Sequence, residues 1–148
     1  MTVQYVDPER AQFDAFKALP RDTPIRMLNL VRFREMATYP TDHALADAGL
    51  SGAAAYGHYG RESGPIFHRV GGSVVWRGRM DAMVIGPADE HWHTIFIAAY
   101  PNSGAFMEMV TDPVYRDAVV HRQAATLTSR LIRCREESLD SRSGTVFG

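Results

Sequence analysis

Two stretches of this chain, IRMLNLVRF at residues 25–33 and HTIFIAAY at residues 93–100, have the length and composition of β-strands and are apolar on both sides. In the first, Ile25, Met27, Val31 and Phe33 alternate with Leu28 and Leu30; in the second, Ile95 and Ile97 oppose Phe96 and Ala98. A sheet made of such strands can leave neither face to water, since each square ångström of apolar surface buried is worth roughly 25 cal/mol. The elements between the strands decide which layers are at hand.

Asp7-Pro8 signals a helix start, with Asp7 as N-cap and Pro8 at the first helical position, and predicts a helix to about Leu19. Residues 35–50 read as a long loop with at most one helical turn. Ser51 then caps a helix that Gly71-Gly72 stops and that Gly64-Pro65 should kink. SVVWRGRM at 73–80 is a further strand, and Asp81, Gly86, Pro87 and Asp89 mark a loop or short hairpin before the next. A helix opens near Ser103, restarts at Asp112-Pro113 and runs to about Ala125, and TLTSRLIRC at 126–134 is the last strand.

The order is βαββαβ behind an extra N-terminal helix, which predicts a ferredoxin-like α+β fold with an antiparallel sheet and two helices on one face. Residues 1–24 form the helical extension, 25–135 the domain, and 136–148 (polar and small) a flexible C-terminal arm. Two helices cover one face only. The other calls for a second copy of the chain, so the expected assembly is a homodimer paired through its sheet faces.

The 148 residues fit one domain, and a net charge of -1 with scattered Lys and Arg argues against nucleic acid as a partner. Every hydrophobic run is interrupted too soon to span a bilayer. One cysteine, Cys134, and no signal-peptide pattern at the N-terminus lead to the expectation of a cytoplasmic protein.

MLNLVRF, AYGHYG, GGSVVWRG, YPN and DPVYRDAVVHRQAATLTSRLI together resemble the DUF1330 family, a branch of the dimeric α/β-barrel superfamily. The resemblance runs from about Ile25 to Cys134 and is strongest at Asn29-Leu30, Gly72, Arg77-Gly78, Tyr100-Pro101, Asp112-Pro113, Tyr115 and Arg122. It implies a dimer of ferredoxin-like units with a pocket under the helices. It implies no particular reaction, because the superfamily spans cofactor-free monooxygenases, isomerases, haem enzymes and ligand sensors.

Several residues are candidates for that pocket. Asn29 places an amide in the apolar run of its strand, where it either bonds to backbone or donates to a ligand carbonyl or carboxylate, with Arg32 at the strand's end as a charge partner. Tyr56 and Tyr59 lie one turn apart, with Gly57 and Gly60 thinning the helix for close approach to a sheet or a ligand. Arg77 is a carboxylate anchor or else half of a salt bridge. Tyr115 and Arg122 share the last helix with His121, which is either part of a solvated face or, like His68, a histidine able to act as acid or base.

His68, near the end of its helix, and Tyr59 are the candidates for moving protons. His91 and His93 have a spacing that can bind metal, but no third ligand follows and no metal or other cofactor is expected. Three functions fit. A cofactor-independent oxygenase or isomerase would act on a small carbonyl compound or aromatic acid, with Asn29 and Arg77 orienting it; a ligand-binding or sensing domain would use the same pocket without turnover; a structural dimerisation module would have no pocket.

Overall fold

A computed structural model of the chain describes residues 3–137. The elements run α1 (Arg10–Ala18), β1 (Ile25–Phe33), α2 (Gly52–Arg69), β2 (Ser73–Gly78), β3 (Thr94–Tyr100), α3 (Ser103–Thr111), α4 (Pro113–Ala125) and β4 (Thr126–Cys134). The strands form one antiparallel sheet in the order β2-β3-β1-β4. This is the ferredoxin-like α+β arrangement, in which each half contributes one inner and one outer strand.

Register sorts the side chains. Met27 lies opposite Ala98 on β3 and Arg133 on β4, and these residues face the helices. There Ile25, Met27, Ala98 and Tyr100 meet Ile66 of α2, Phe106 and Met109 of α3 and Tyr115 of α4 in the main core, with Phe13 and Phe16 of α1 packed against it. Leu28, Leu30, Ile95, Ile97, Trp76 and Ile132 alternate to the opposite face, away from the four helices; Trp76 and Ile132 are 52% and 46% exposed there. The two-sided apolar pattern of the strands therefore persists in the fold with one side unoccupied in the single chain.

Local signals set most boundaries. The Ser51 hydroxyl accepts from the Ala54 N–H at 3.1 Å and starts α2, and Asn102 accepts from the Ala105 N–H at 2.8 Å to start α3. Asp112 ends α3 and begins α4 in one stroke, its Oδ1 accepting from the Val114 N–H at 2.8 Å while Oδ2 takes Arg69. The helix is not divided at Pro65: α2 continues through it to Arg69. Strand β2 stops at Gly78, two residues short of the expected end, and carries a register shift between Val74 and Trp76.

The first helix begins at Arg10, not Pro8, and Asp7 does not cap it. Its carboxylate accepts instead from Gln123 Nε2 at 3.1 Å, so a tertiary partner wins over the local one. Upstream, the segment 3–7 lies against β4, where the Ser129 N–H donates to the Tyr5 carbonyl at 2.7 Å and the Tyr5 N–H donates to Thr128 Oγ1 at 3.0 Å.

Residues 35–50 cross the outer side of α2 and α4, tied by Ala37 N–H to the Leu50 carbonyl and Thr38 N–H to the Ala124 carbonyl, both at 2.9 Å. Tyr39 packs there on Ala55, Ala124 and Ala125 as a second cluster. Gly52 lets the start of α2 touch the end of β1: a Cβ at that position would overlap the Arg34 carbonyl oxygen. The expected C-terminal arm falls almost wholly outside the described residues. None of the described helices is long and apolar enough to cross a membrane.

Candidate functional site

A cleft of about 1950 Å³ lies between the sheet and the helices. Its floor is one row across all four strands, because Arg77 pairs with Phe96, Phe96 with Asn29 and Asn29 with Leu131. Its roof is Tyr56, Tyr59 and Ser63 of α2 with Tyr115 and Arg122 of α4, and its far wall is the N-terminal segment and α1. An ordinary ligand pocket holds about 300–1,000 Å³. The excess here reflects an open side along β2, an edge strand whose residues Ser73 to Arg77 are exposed.

Asn29 donates from Nδ2 to the carbonyl of Met27 at 3.0 Å, which satisfies one N–H from its own strand. Its Oδ1 has no protein donor among the described residues, and the residue lines the cleft. The bond from Nδ2 to backbone fits the structural alternative, whereas the free Oδ1 can accept but not donate and so does not supply the donor to a ligand carbonyl or carboxylate. Arg77 lines the same floor and forms no ion pair among the described residues.

Above them the Tyr59 and Tyr115 hydroxyls bond to each other at 2.9 Å, and the Tyr56 ring lies 5.4 Å from that of Tyr59. Burial pushes the phenols of Tyr56, Tyr100 and Tyr115 well above their ordinary range, and the neighbouring Tyr59 adds to it; for Tyr56 the guanidinium groups of Arg122 and Arg77 pull the other way without prevailing. These three phenols stay protonated at neutral pH. Tyr56 can donate a hydrogen bond to a ligand oxygen, as can whichever of Tyr59 and Tyr115 does not donate to the other, while Tyr100 donates to Met109 Sδ at 3.9 Å; the three shifted phenols bring no bound negative charge.

Gly57 and Gly60 line the cleft without serving close helix-to-sheet packing: a Cβ at Gly60 would meet nothing within 4 Å, and one at Gly57 only the end of Arg61. What they leave is space beside the tyrosines. Arg122 also lines the cleft, but its guanidinium is engaged, donating to the Val6 carbonyl at 2.6 Å and Ser129 Oγ at 3.1 Å. His68 sits exposed at the rim with no hydrogen bond to Tyr59. Arg32 is not among the lining residues; it belongs to the other face of β1 and reaches the Asp89 carbonyl at 3.5 Å.

His93 also reaches the cleft. Its Nδ1 accepts from the Phe33 N–H at 2.9 Å and its ring stacks on Phe33 at 5.1 Å, while burial, then His91 and Arg32, hold its pKa below the usual histidine value. The nitrogen that a metal would need at the His91 and His93 pair is thereby occupied. No group of three or more potential metal ligands is assembled among the described residues.

Behind the roof lies a second polar cluster, which helical position alone did not disclose. His121 is only 6% exposed, contrary to the expectation of a solvated face. Its Nε2 pairs with Glu62 of α2 and its Nδ1 bonds to the Tyr39 hydroxyl at 2.7 Å, with the rings of His58 and His43 at 5.2 and 5.5 Å. Burial lowers its pKa, His58, His43 and Arg61 act in the same direction, and Glu62 opposes them. None of these groups lines the cleft except Arg61. The cluster joins α2, α4 and the 35–50 loop from outside.

Comparison with known proteins bears on this site. The model of a family described as a domain of unknown function, DUF1330, matches residues 43–133. A crystal structure of RPA0582, a protein of unknown function from Rhodopseudomonas palustris, is 51% identical, superimposes with a TM-score of 0.85, and covers 93% of this chain and 100% of that one. The methylated form of RPA0582 gives 50% identity and a TM-score of 0.86 over 93% and 98% of the two chains. SnoaB, a cofactor-independent oxygenase from Streptomyces nogalater, is 14% identical with a TM-score of 0.47 over 79% and 96%, a likeness too slight to transfer an activity. No curated protein matches the chain.

Proposed function

Because this chain belongs to the DUF1330 family, whose function is unknown, we propose its role from the cleft alone: it binds a small apolar or aromatic molecule carrying a carboxylate or carbonyl oxygen. The observation that carries this is the pairing of a charged and a polar group on one apolar floor. Arg77, without an ion-pair partner among the described residues, and the Asn29 amide, whose second Nδ2 hydrogen is left over from its bond to Met27, flank Phe96 beneath the protonated phenols of Tyr56 and Tyr115. A guanidinium on an otherwise apolar surface favours an anion, and an aromatic body suits the walls.

Turnover of that ligand is the finer reading. In a cofactor-independent oxygenation or isomerisation, the Tyr59 and Tyr115 hydroxyl pair would move a proton at the substrate oxygen, with His68 exchanging it at the rim. The raised phenol pKa values instead favour binding without turnover, since none of the three shifted phenols is set to ionise near neutrality. The protein acts in the cytoplasm as a homodimer paired through the uncovered sheet faces, which supplies the second layer that Leu28, Leu30, Ile95 and Ile97 require.

Thermal shifts of the wild type, Asn29→Leu and Arg77→Gln against benzoate, hexanoate and neutral benzamide test the proposal. Stabilisation by an acid that Arg77→Gln loses, with the unliganded proteins equally stable, supports it. Stabilisation by none of the three probes sinks it.

A further inference from the structure

The loop joining β2 to β3, residues 79–93, ends in an apolar tip: Val84 and Ile85 are 90% and 93% exposed. Its return limb, by contrast, is anchored. Arg32 donates to the Asp89 carbonyl at 3.5 Å, Trp92 is buried with the Arg130 guanidinium 5.2 Å over its ring, and the His93 N–H donates to the Val31 carbonyl at 2.9 Å. By strand alternation Arg32 and Arg130 belong to the uncovered face of the sheet. The return limb therefore crosses the end of the sheet between the uncovered face, which carries Arg32, and the cleft, which His91, Trp92 and His93 line.

We propose that this loop is an arm that clasps a second copy of the chain, with Val84 and Ile85 packing on the partner beyond the edge of the facing sheet. The proposal rests on the sheet-face dimer proposed above and adds to it a second, separable contact. Length permits it. About seven residues out and seven back give a reach of at most roughly 23 Å, against about 10 Å between packed sheets.

Charge selects the occupant. The loop RMDAMVIGPADEHWH carries one arginine against three carboxylates, Asp81, Asp89 and Glu90, while Arg32 and Arg130 stand on the uncovered face of the same molecule. In a two-fold pair each acidic arm meets the basic residues of the other copy. An anionic lipid surface attracts basic segments and would repel this one. Trp76, 52% exposed on the edge strand that leads into the loop, adds apolar surface on the uncovered face; a standard interface needs about 800 Å² from each partner, more than a loop tip supplies alone.

Sedimentation equilibrium of the wild type, Val84→Asp/Ile85→Asp and Trp76→Glu/Ile132→Glu tests it. The arm side chains contribute almost nothing to the fold of the single chain, so the first variant should keep its circular dichroism while its dimer Kd rises about 100-fold, four aliphatic contacts being lost per dimer. A dimer as tight as the wild type in that variant overturns the arm, and if the Trp76→Glu/Ile132→Glu variant is then monomeric, the sheet-face reading stands without it. A monomeric wild type at 10 μM or above overturns both. Co-sedimentation of the wild type with vesicles of phosphatidylcholine and phosphatidylserine, lost in the arm variant, would assign the tip to lipid and overturn the arm as well.

Discussion

Replacing His121 with leucine, a side chain of similar bulk, removes the acceptor for one buried hydroxyl and the partner of one half-exposed carboxylate. Tyr39 is 8% exposed and loses the bond its hydroxyl makes to Nδ1, so it bears the cost of an unsatisfied buried group, about 1–3 kcal/mol. Glu62 is 49% exposed at its side chain and returns to water, which limits the loss of that pair to less than ~1 kcal/mol. Most of the penalty should therefore vanish once Tyr39 is also made apolar. In urea melts at pH 8, His121→Leu should lower the midpoint by about 1 M, for a slope near ~1.5 kcal/mol/M. In a Tyr39→Phe background the same change should cost ~1 kcal/mol or more less. Strict additivity of the two substitutions would refute the assignment of the stabilisation to the bond between them.

Acid should weaken the fold before the carboxylates titrate. His121 and His93 both have native pKa values below the 6.5 of the free side chain. Their contribution is thus complete above pH 6.5 and is lost as the pH falls below it, because the unfolded chain then binds protons that the native state refuses. Urea midpoints should drop between pH 7 and pH 5, less so for His121→Leu; a rise would contradict the shifts. Two glycines of α2 should respond oppositely to alanine. Gly52→Ala forces a Cβ onto the Arg34 backbone and should cost about 1–3 kcal/mol, a Tm loss of roughly 3–10 °C, whereas Gly60→Ala opens onto free space and should gain up to ~1 kcal/mol in helix propensity. Equal melting temperatures would discard the close approach at Gly52.

The residues that were legible in the sequence act through their neighbours. IRMLNLVRF is β1 to the residue, and Asp112-Pro113 restarts a helix where its carboxylate reaches the Val114 N–H two positions on. Asn29, Tyr56, Tyr59, Arg77, Tyr115 and Arg122 line one cleft because strand parity and helical spacing put each on the side where the core lies. What stayed hidden depends on partners far along the chain. Asp7 gave up its cap to Gln123, and His121 is buried by Tyr39 and Glu62, 82 and 59 positions away. A polar residue on a helix announces that it avoids the main core; it does not announce a second one behind. Tyr39, Leu45 and Leu50, with the alanines spaced among them, in a loop of mixed composition were the available hint that those residues pack against something.

The segment ahead of α1 has a consequence for how such molecules can associate. By pairing its backbone with Ser129 and bonding to Thr128, it shields the β4 margin of the sheet and leaves β2 as the margin with exposed side chains. A sheet with two bare margins can propagate indefinitely, strand upon strand, whereas one with a single bare margin can join only one neighbour and then stops. Deleting residues 3–7 would thus do more than free Arg122 and Gln123 of their partners. It would turn a self-limiting building block into one able to polymerise.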